Sequence, residues 1–90
     1  MPLNYNKVDE LCYLISRNIK KYRLQKGLTQ KQLAIKTGYS YAYIRRLESK
    51  ACTKNFSIKT IYNISKTLNI DIKKLFEDNA YNKLWEWLTN

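Results

Sequence analysis

The sequence predicts an all-α fold: a compact bundle of five short helices with a helix-turn-helix, plus a sixth helix at the C-terminus. Three observations lead there. Only two glycines and one proline interrupt 90 residues, too few breakers for a strand-and-turn architecture. Apolar residues recur at spacings of three and four along successive short segments, the period of a helix face. Thr29, Ser40, Ser57 and Asp71 each stand where such a segment opens, as N-caps do.

The first helix is expected at about 9–26. Asp9 and Glu10 sit at its start, where the helix dipole favours acids. Leu11, Leu14, Ile15, Ile19 and Tyr22 form one apolar stripe, and Gly27 stops it. The second, about 30–37, opens on a capping box of Thr29 and Gln32. Leu33 and Ala34 face inward, and Gly38 ends it with φ > 0.

The stretch "GYSYAYIRRLE", residues 38–48, is ambiguous. Tyr39, Tyr41 and Tyr43 alternate as in a half-buried strand. Ile44 and Leu47, three apart, read as a helix. A strand here has no partner in the chain, and unpaired ladder groups cost more than a weak helix propensity at three tyrosines. A helix at about 41–49 is therefore expected, capped by Ser40, with Tyr41, Ala42, Arg45 and Arg46 turned outward. Residues 51–56 read as a loop. Ser57 then caps a fourth helix bearing Ile58, Ile61, Ile64, Ser65 and Leu68. Asp71 caps a fifth with Ile72, Leu75 and Phe76 inward. "AYNKLWEWLTN" makes the sixth, with Ala80, Leu84, Trp87 and Leu88 on one side.

Charge narrows the function. The 17 Lys and Arg against 7 Asp and Glu give a net charge of +10, which suits a polyanion. Lys20 to Lys54 holds ten basic residues and a single acid, Glu48. No apolar run approaches membrane-spanning length, and no secretory signal is visible, so a cytoplasmic location is expected. Cys12 and Cys52, with no histidine in the chain, make no ordinary zinc site and read as reduced thiols. No nucleophile–base set and no glycine-rich phosphate loop are present. The expectation is a non-enzyme without metal or cofactor.

Two short helices joined by a glycine turn, the second carrying outward basic and polar residues, make a helix-turn-helix. The second helix of such a unit fits the major groove of duplex DNA. The first presents its N-terminal amides to a phosphate. "NIKKYRLQKGLTQKQLAIKTGYSYAYIRRLES" and "FSIKTIYNISKTLNIDIKKLF" resemble the lambda-repressor/Cro-like, or Xre-type, helix-turn-helix family over roughly residues 15–76. Features in register are Arg23, Gly27-Leu28-Thr29-Gln30, Leu33-Ala34, Gly38, Ser40, Ile44 and Leu47-Glu48.

The resemblance implies roles by position. Gln30 would bond a DNA phosphate. Ser40, Tyr41, Ala42 and Arg46 match positions that usually read bases, and arginine on guanine is the commonest such contact. Arg45 reaches a base or a phosphate. Tyr39 is expected in the core with its hydroxyl surfacing, and Tyr43 at a phosphate on the groove edge. Ser49, Lys50, Lys54 and Asn55 are further phosphate candidates. Glu48 would pair with Arg23 and lock the recognition helix to the scaffold. The competing partner is Arg45 at i,i+3, worth only about a few tenths of a kcal/mol. One departure stands out. The family often has glycine where this chain has Lys50, so its third helix must end differently or place a non-glycine in left-handed geometry.

The expected organisation is a DNA-binding domain over residues 1–76 and an extension over 77–90. The extension either folds back on the core or, through Leu84, Trp85, Trp87 and Leu88, contacts a second copy or another protein. The function expected is a sequence-specific regulator of double-stranded DNA, of bacterial or phage type. It would be a homodimer reading an inverted repeat, and a repressor rather than an activator. Alternatives are an antitoxin, a controller of a restriction–modification system or mobile element, and a nonspecific single-strand binder whose tyrosines stack on bases.

Overall fold

Residues 5–49 and 56–78 are described by a computed structural model. Their order is α1 (Tyr5–Gln25), α2 (Gln30–Thr37), α3 (Tyr41–Glu48), α4 (Ile58–Leu68) and a terminal 3-10 helix (Ile72–Phe76). Every element among the described residues is helical, the ambiguous tyrosine stretch included. The sixth helix expected around Leu84 to Leu88 lies outside the described residues.

Side chains from every element meet in one core. Ile15 and Ile19 come from α1, Leu33 and Ala34 from α2, Ile44 and Leu47 from α3, Ile61, Ile64 and Leu68 from α4, and Leu75 from the 3-10 helix. Tyr22, Leu28, Tyr39, Tyr43, Phe56, Ile70 and Ile72 close around it, partly buried.

Several expectations need correction. Helix α1 begins at Tyr5 rather than near Asp9. No glycine or proline lies between Tyr5 and Asp9, so nothing stops the helix propagating through them. Leu11, placed on the buried stripe, is 43% exposed. It lies one turn beyond Ile15, where the described elements no longer cover α1. Ile58 is 72% exposed while Thr60 and Ile61 in the same turn are buried, so Ile58 lies off the inward face of α4. Phe76 is also exposed. The fifth helix is a five-residue 3-10 helix, too short to repay α-helix nucleation. Asp71 starts it by accepting from the Lys73 amide at 2.9 Å.

The helix ends explain the turns. After α1, the Leu28 amide donates to the Arg23 carbonyl and the Gly27 amide to that of Leu24. This is a Schellman motif, and Gly27 takes its left-handed position at φ 72°. After α2, Gly38 at φ 82° sends its amide to Ala34. After α4, Asn69 holds the left-handed position. Only α3 among these helices ends otherwise. Ser49 is extended, with φ −74° and ψ 162°, and its amide returns to Arg46. The helix thus stops before the position where the family's glycine is missing; Lys50 itself lies outside the described residues.

Asn18 was not anticipated as structural. It is buried on α1, and its Nδ2 donates to the carbonyls of Leu75 and Glu77, both at 2.9 Å. One amide therefore captures the open end of the 3-10 helix and ties the end of the domain to its first helix. Asn18→Ala removes both bonds and strands a buried carbonyl, at a cost of about 1–3 kcal/mol. Urea unfolding should show a lower midpoint with unchanged slope.

Candidate nucleic-acid interface

Helix α3 is amphipathic, and the burial of two side chains orients it. Ile44 and Leu47 are fully buried. Tyr41, Ala42, Arg45 and Arg46 are therefore presented outward, and all are exposed. Ser40 caps the helix by accepting the Tyr43 amide at 3.0 Å. Its hydroxyl proton remains able to donate.

The single acid of this region is turned inward. Arg23 Nε donates to Glu48 Oε2 at 2.6 Å and Arg23 Nη2 to Glu48 Oε1 at 3.0 Å. Their side chains are 7% and 2% exposed. Arg23 Nη1 also donates to the Leu28 carbonyl at 2.7 Å, and Gln30 Nε2 to Glu48 Oε1 at 3.0 Å. The cluster joins the end of α1, the start of α2 and the end of α3. It also removes Glu48 from the outer surface, where it would repel an anion. Arg45, the competing partner, instead lies beside Tyr41.

Tyrosines and cations alternate over the outward face. Lys31 Nζ lies 5.3 Å from the Tyr41 ring centre and Arg45 Cζ 5.5 Å from it. Arg46 Cζ lies 5.6 Å from the ring centre of Tyr43. All are within cation–π range. Tyr41 and Tyr43 thus support cations from α2 and α3. Tyr39 and Tyr43 meet edge to face, with centres 4.9 Å apart.

Behind this face the start of α2 opens a shallow cleft lined by Arg23, Leu28, Thr29, Gln30, Lys31 and Tyr41. The capping box is complete: Thr29 Oγ1 accepts the Gln32 amide at 3.0 Å, and Gln32 Oε1 accepts the Thr29 amide at 2.8 Å. The amides of Gln30 and Lys31, in the first helical turn, have no acceptor within the helix.

The other sequence candidates fall as follows. Tyr39 is half-buried against the core, and its hydroxyl donates to Thr60 Oγ1 at 3.5 Å. The Tyr43 hydroxyl, expected at a phosphate, lies 3.2 Å from Thr60 Oγ1. Ser49 Oγ donates to the Arg46 carbonyl at 2.8 Å. Lys50, Lys54, Asn55, Leu84, Trp85, Trp87 and Leu88 lie outside the described residues. Sequence reasoning passed over Lys31 and Thr60. Lys31 stood out only as one basic residue among many; its place two residues after a capping threonine was the signal. Thr60, three residues after the Ser57 cap, carried no signal distinguishable from local capping.

Comparison with known proteins follows the same lines. Residues 19–75 match the helix-turn-helix family HTH_3. The HTH-type transcriptional regulator SlrR of Bacillus subtilis is 34% identical over 64 residues, which cover 71% of this chain and 41% of SlrR. The chain thus spans less than half the length of that relative. A variant of the restriction–modification controller protein C.Esp1396I superposes with a TM-score of 0.68 at 34% identity, covering 82% of this chain and 91% of that one. The restriction–modification controller protein C.AhdI of Aeromonas hydrophila gives 0.66 at 26% identity, covering 72% and 96%.

The Arg23–Glu48 pair is testable as a buried unit. Glu48→Ala leaves Arg23 buried without its counter-ion and should destabilise by about 3–5 kcal/mol. Replacing both residues with apolar ones of similar volume should recover much of that loss. Chemical denaturation of the two single variants and the double would show it.

Proposed function

The chain belongs to the lambda-repressor-like, Xre-type helix-turn-helix family, and from that premise we propose that it is a sequence-specific regulator acting on double-stranded DNA. The observation that carries the proposal is the outward face of α3. It offers Arg45 and Arg46 on tyrosine supports, while the one acid of the region is buried against Arg23. An α-helix fits the major groove, and this face brings to it donors and no exposed carboxylate.

Each residue then takes a role. The amides at the start of α2, with Lys31 and Gln30 beside them, receive a phosphate and set the register. Gln30 reaches it from the position in which Glu48 holds its side chain. Arg46 donates to the acceptor edge of a guanine. Tyr41 and Ala42 meet thymine methyls, and Ser40 donates at the leading end of the helix. Arg45 serves a base or the backbone. Tyr43 and Ser49 lie at the groove edge, where Lys50, Lys54 and Asn55 would add backbone contacts.

One recognition helix reads only a few base pairs. A homodimer reading an inverted repeat, with half-sites about 34 Å apart, supplies the remaining specificity. Its contact belongs to the extension over 77–90, through Leu84, Trp85, Trp87 and Leu88. Occupying a promoter would make the dimer a repressor. The structural likeness to two restriction–modification controller proteins supports a second reading, control of such a system. A modification or restriction gene beside this one would favour it.

Selection of bound duplexes from a random pool at near-physiological salt tests the reading. Enrichment of an inverted repeat with centres about one helical turn apart is expected. A pool bound equally in all sequences, or single strands competing better than duplex, would replace groove reading with an electrostatic or stacking mode. On the selected duplex, Arg46→Ala should cost about 1–3 kcal/mol and relax one base pair. Lys31→Ala should weaken all duplexes alike and lower the slope of log K against log salt by about one.

A further inference from the structure

Thr60 lies in the first turn of α4 and is 6% exposed. Its hydroxyl is the centre of a cluster. Ser57 Oγ donates to Thr60 Oγ1 at 3.0 Å, Tyr39 OH donates to it at 3.5 Å, and Tyr43 OH stands 3.2 Å away. A hydroxyl has two acceptor sites and one proton, and either oxygen of the Thr60–Tyr43 pair can be the donor. In both senses the Tyr43 ring is held at its hydroxyl end as well as at its root on α3. The edge contact with Tyr39 fixes its tilt. On this ring lies the guanidinium of Arg46.

We propose that Thr60 is a positioning residue for base recognition: it holds the Tyr43 hydroxyl, and Tyr43 holds Arg46 in the orientation from which it reads DNA. The assignment rests on the DNA-reading function proposed above. It makes specificity depend on a buried residue of α4, a helix apart from the helix-turn-helix. Arginine is a long side chain with several rotatable bonds, and ordering it on binding costs entropy. A ring that orders it beforehand lowers that cost for the one register in which its fork meets a guanine. Nonspecific binding, which uses charge rather than orientation, gains nothing from the arrangement.

The test is a set of variants titrated against the duplex enriched from the random pool and against a scrambled duplex, each variant's folding verified by thermal melting. Thr60→Val keeps the shape and removes the hydroxyl. It should weaken cognate binding about three- to tenfold, the scale of one exposed cation–π contact with its ordering, and leave the scrambled duplex within about twofold. Thr60→Ser, which keeps the hydroxyl, should bind as the parent does. In an Arg46→Ala background, Thr60→Val should have no further effect. If Thr60→Val fails to fold, Thr60→Ala removes the same hydroxyl with a better helix former and should give the same pattern.

Three results would overturn the assignment: an unchanged cognate affinity, equal losses on both duplexes, or a loss that persists without Arg46. The second would mean that the site acts through stability alone. If the pool yields no enriched duplex, the DNA-reading function falls first and the assignment with it, and that failure is visible before any variant is made.

Discussion

The structure depends most on one buried ion pair. Arg23 stands in the last turn of α1, Glu48 closes α3, and two hydrogen bonds join them where both side chains are almost fully buried. Such a pair gains little net energy over apolar residues of the same size, because desolvation offsets attraction. Its contribution is geometric. Arg23 also binds the carbonyl of Leu28, and Glu48 also accepts from Gln30. Three helices that meet in a small core, free to slide on interchangeable apolar contacts, are thereby fixed in one register. The same pair sets the electrostatics of the surface by withdrawing the one carboxylate from the face that carries Lys31, Arg45 and Arg46.

Much of this was legible in the sequence. The caps at Thr29, Ser40 and Ser57, the glycine stops, and the inward Ile44 and Leu47 depend on neighbours three or four residues away, so local pattern reports them. The bounds of α2 and α3 follow from those signals. The pairing of Glu48 with Arg23 needed the family resemblance, because charge pattern alone offered Arg45 equally well.

What stayed illegible depends on contacts between segments distant in the chain. Leu11 has the right period for the core, but a long helix outruns the described elements that cover it. Asn18 looked like a polar residue on a helix, yet it binds carbonyls more than fifty residues away. Tyr43 is expected at a phosphate on the groove edge. Its hydroxyl nevertheless meets Thr60, a neighbour that α4 brings from seventeen residues further on. The end of the 3-10 helix is held by Asn18, which bonds the Leu75 and Glu77 carbonyls, a partner that local pattern does not report.

The caps have one more consequence. Helices α2, α3 and α4 are all capped by a hydroxyl, from Thr29, Ser40 and Ser57, while the carboxylate cap, Asp71, serves the terminal 3-10 helix. As caps, aspartate and serine are about equally effective. They differ in what they leave behind. A hydroxyl satisfies the amide and keeps the partial positive charge of the helix terminus, whereas a carboxylate cancels it. The hydroxyl caps thus leave the starts of α2, α3 and α4 more attractive to negative charge than carboxylate caps would.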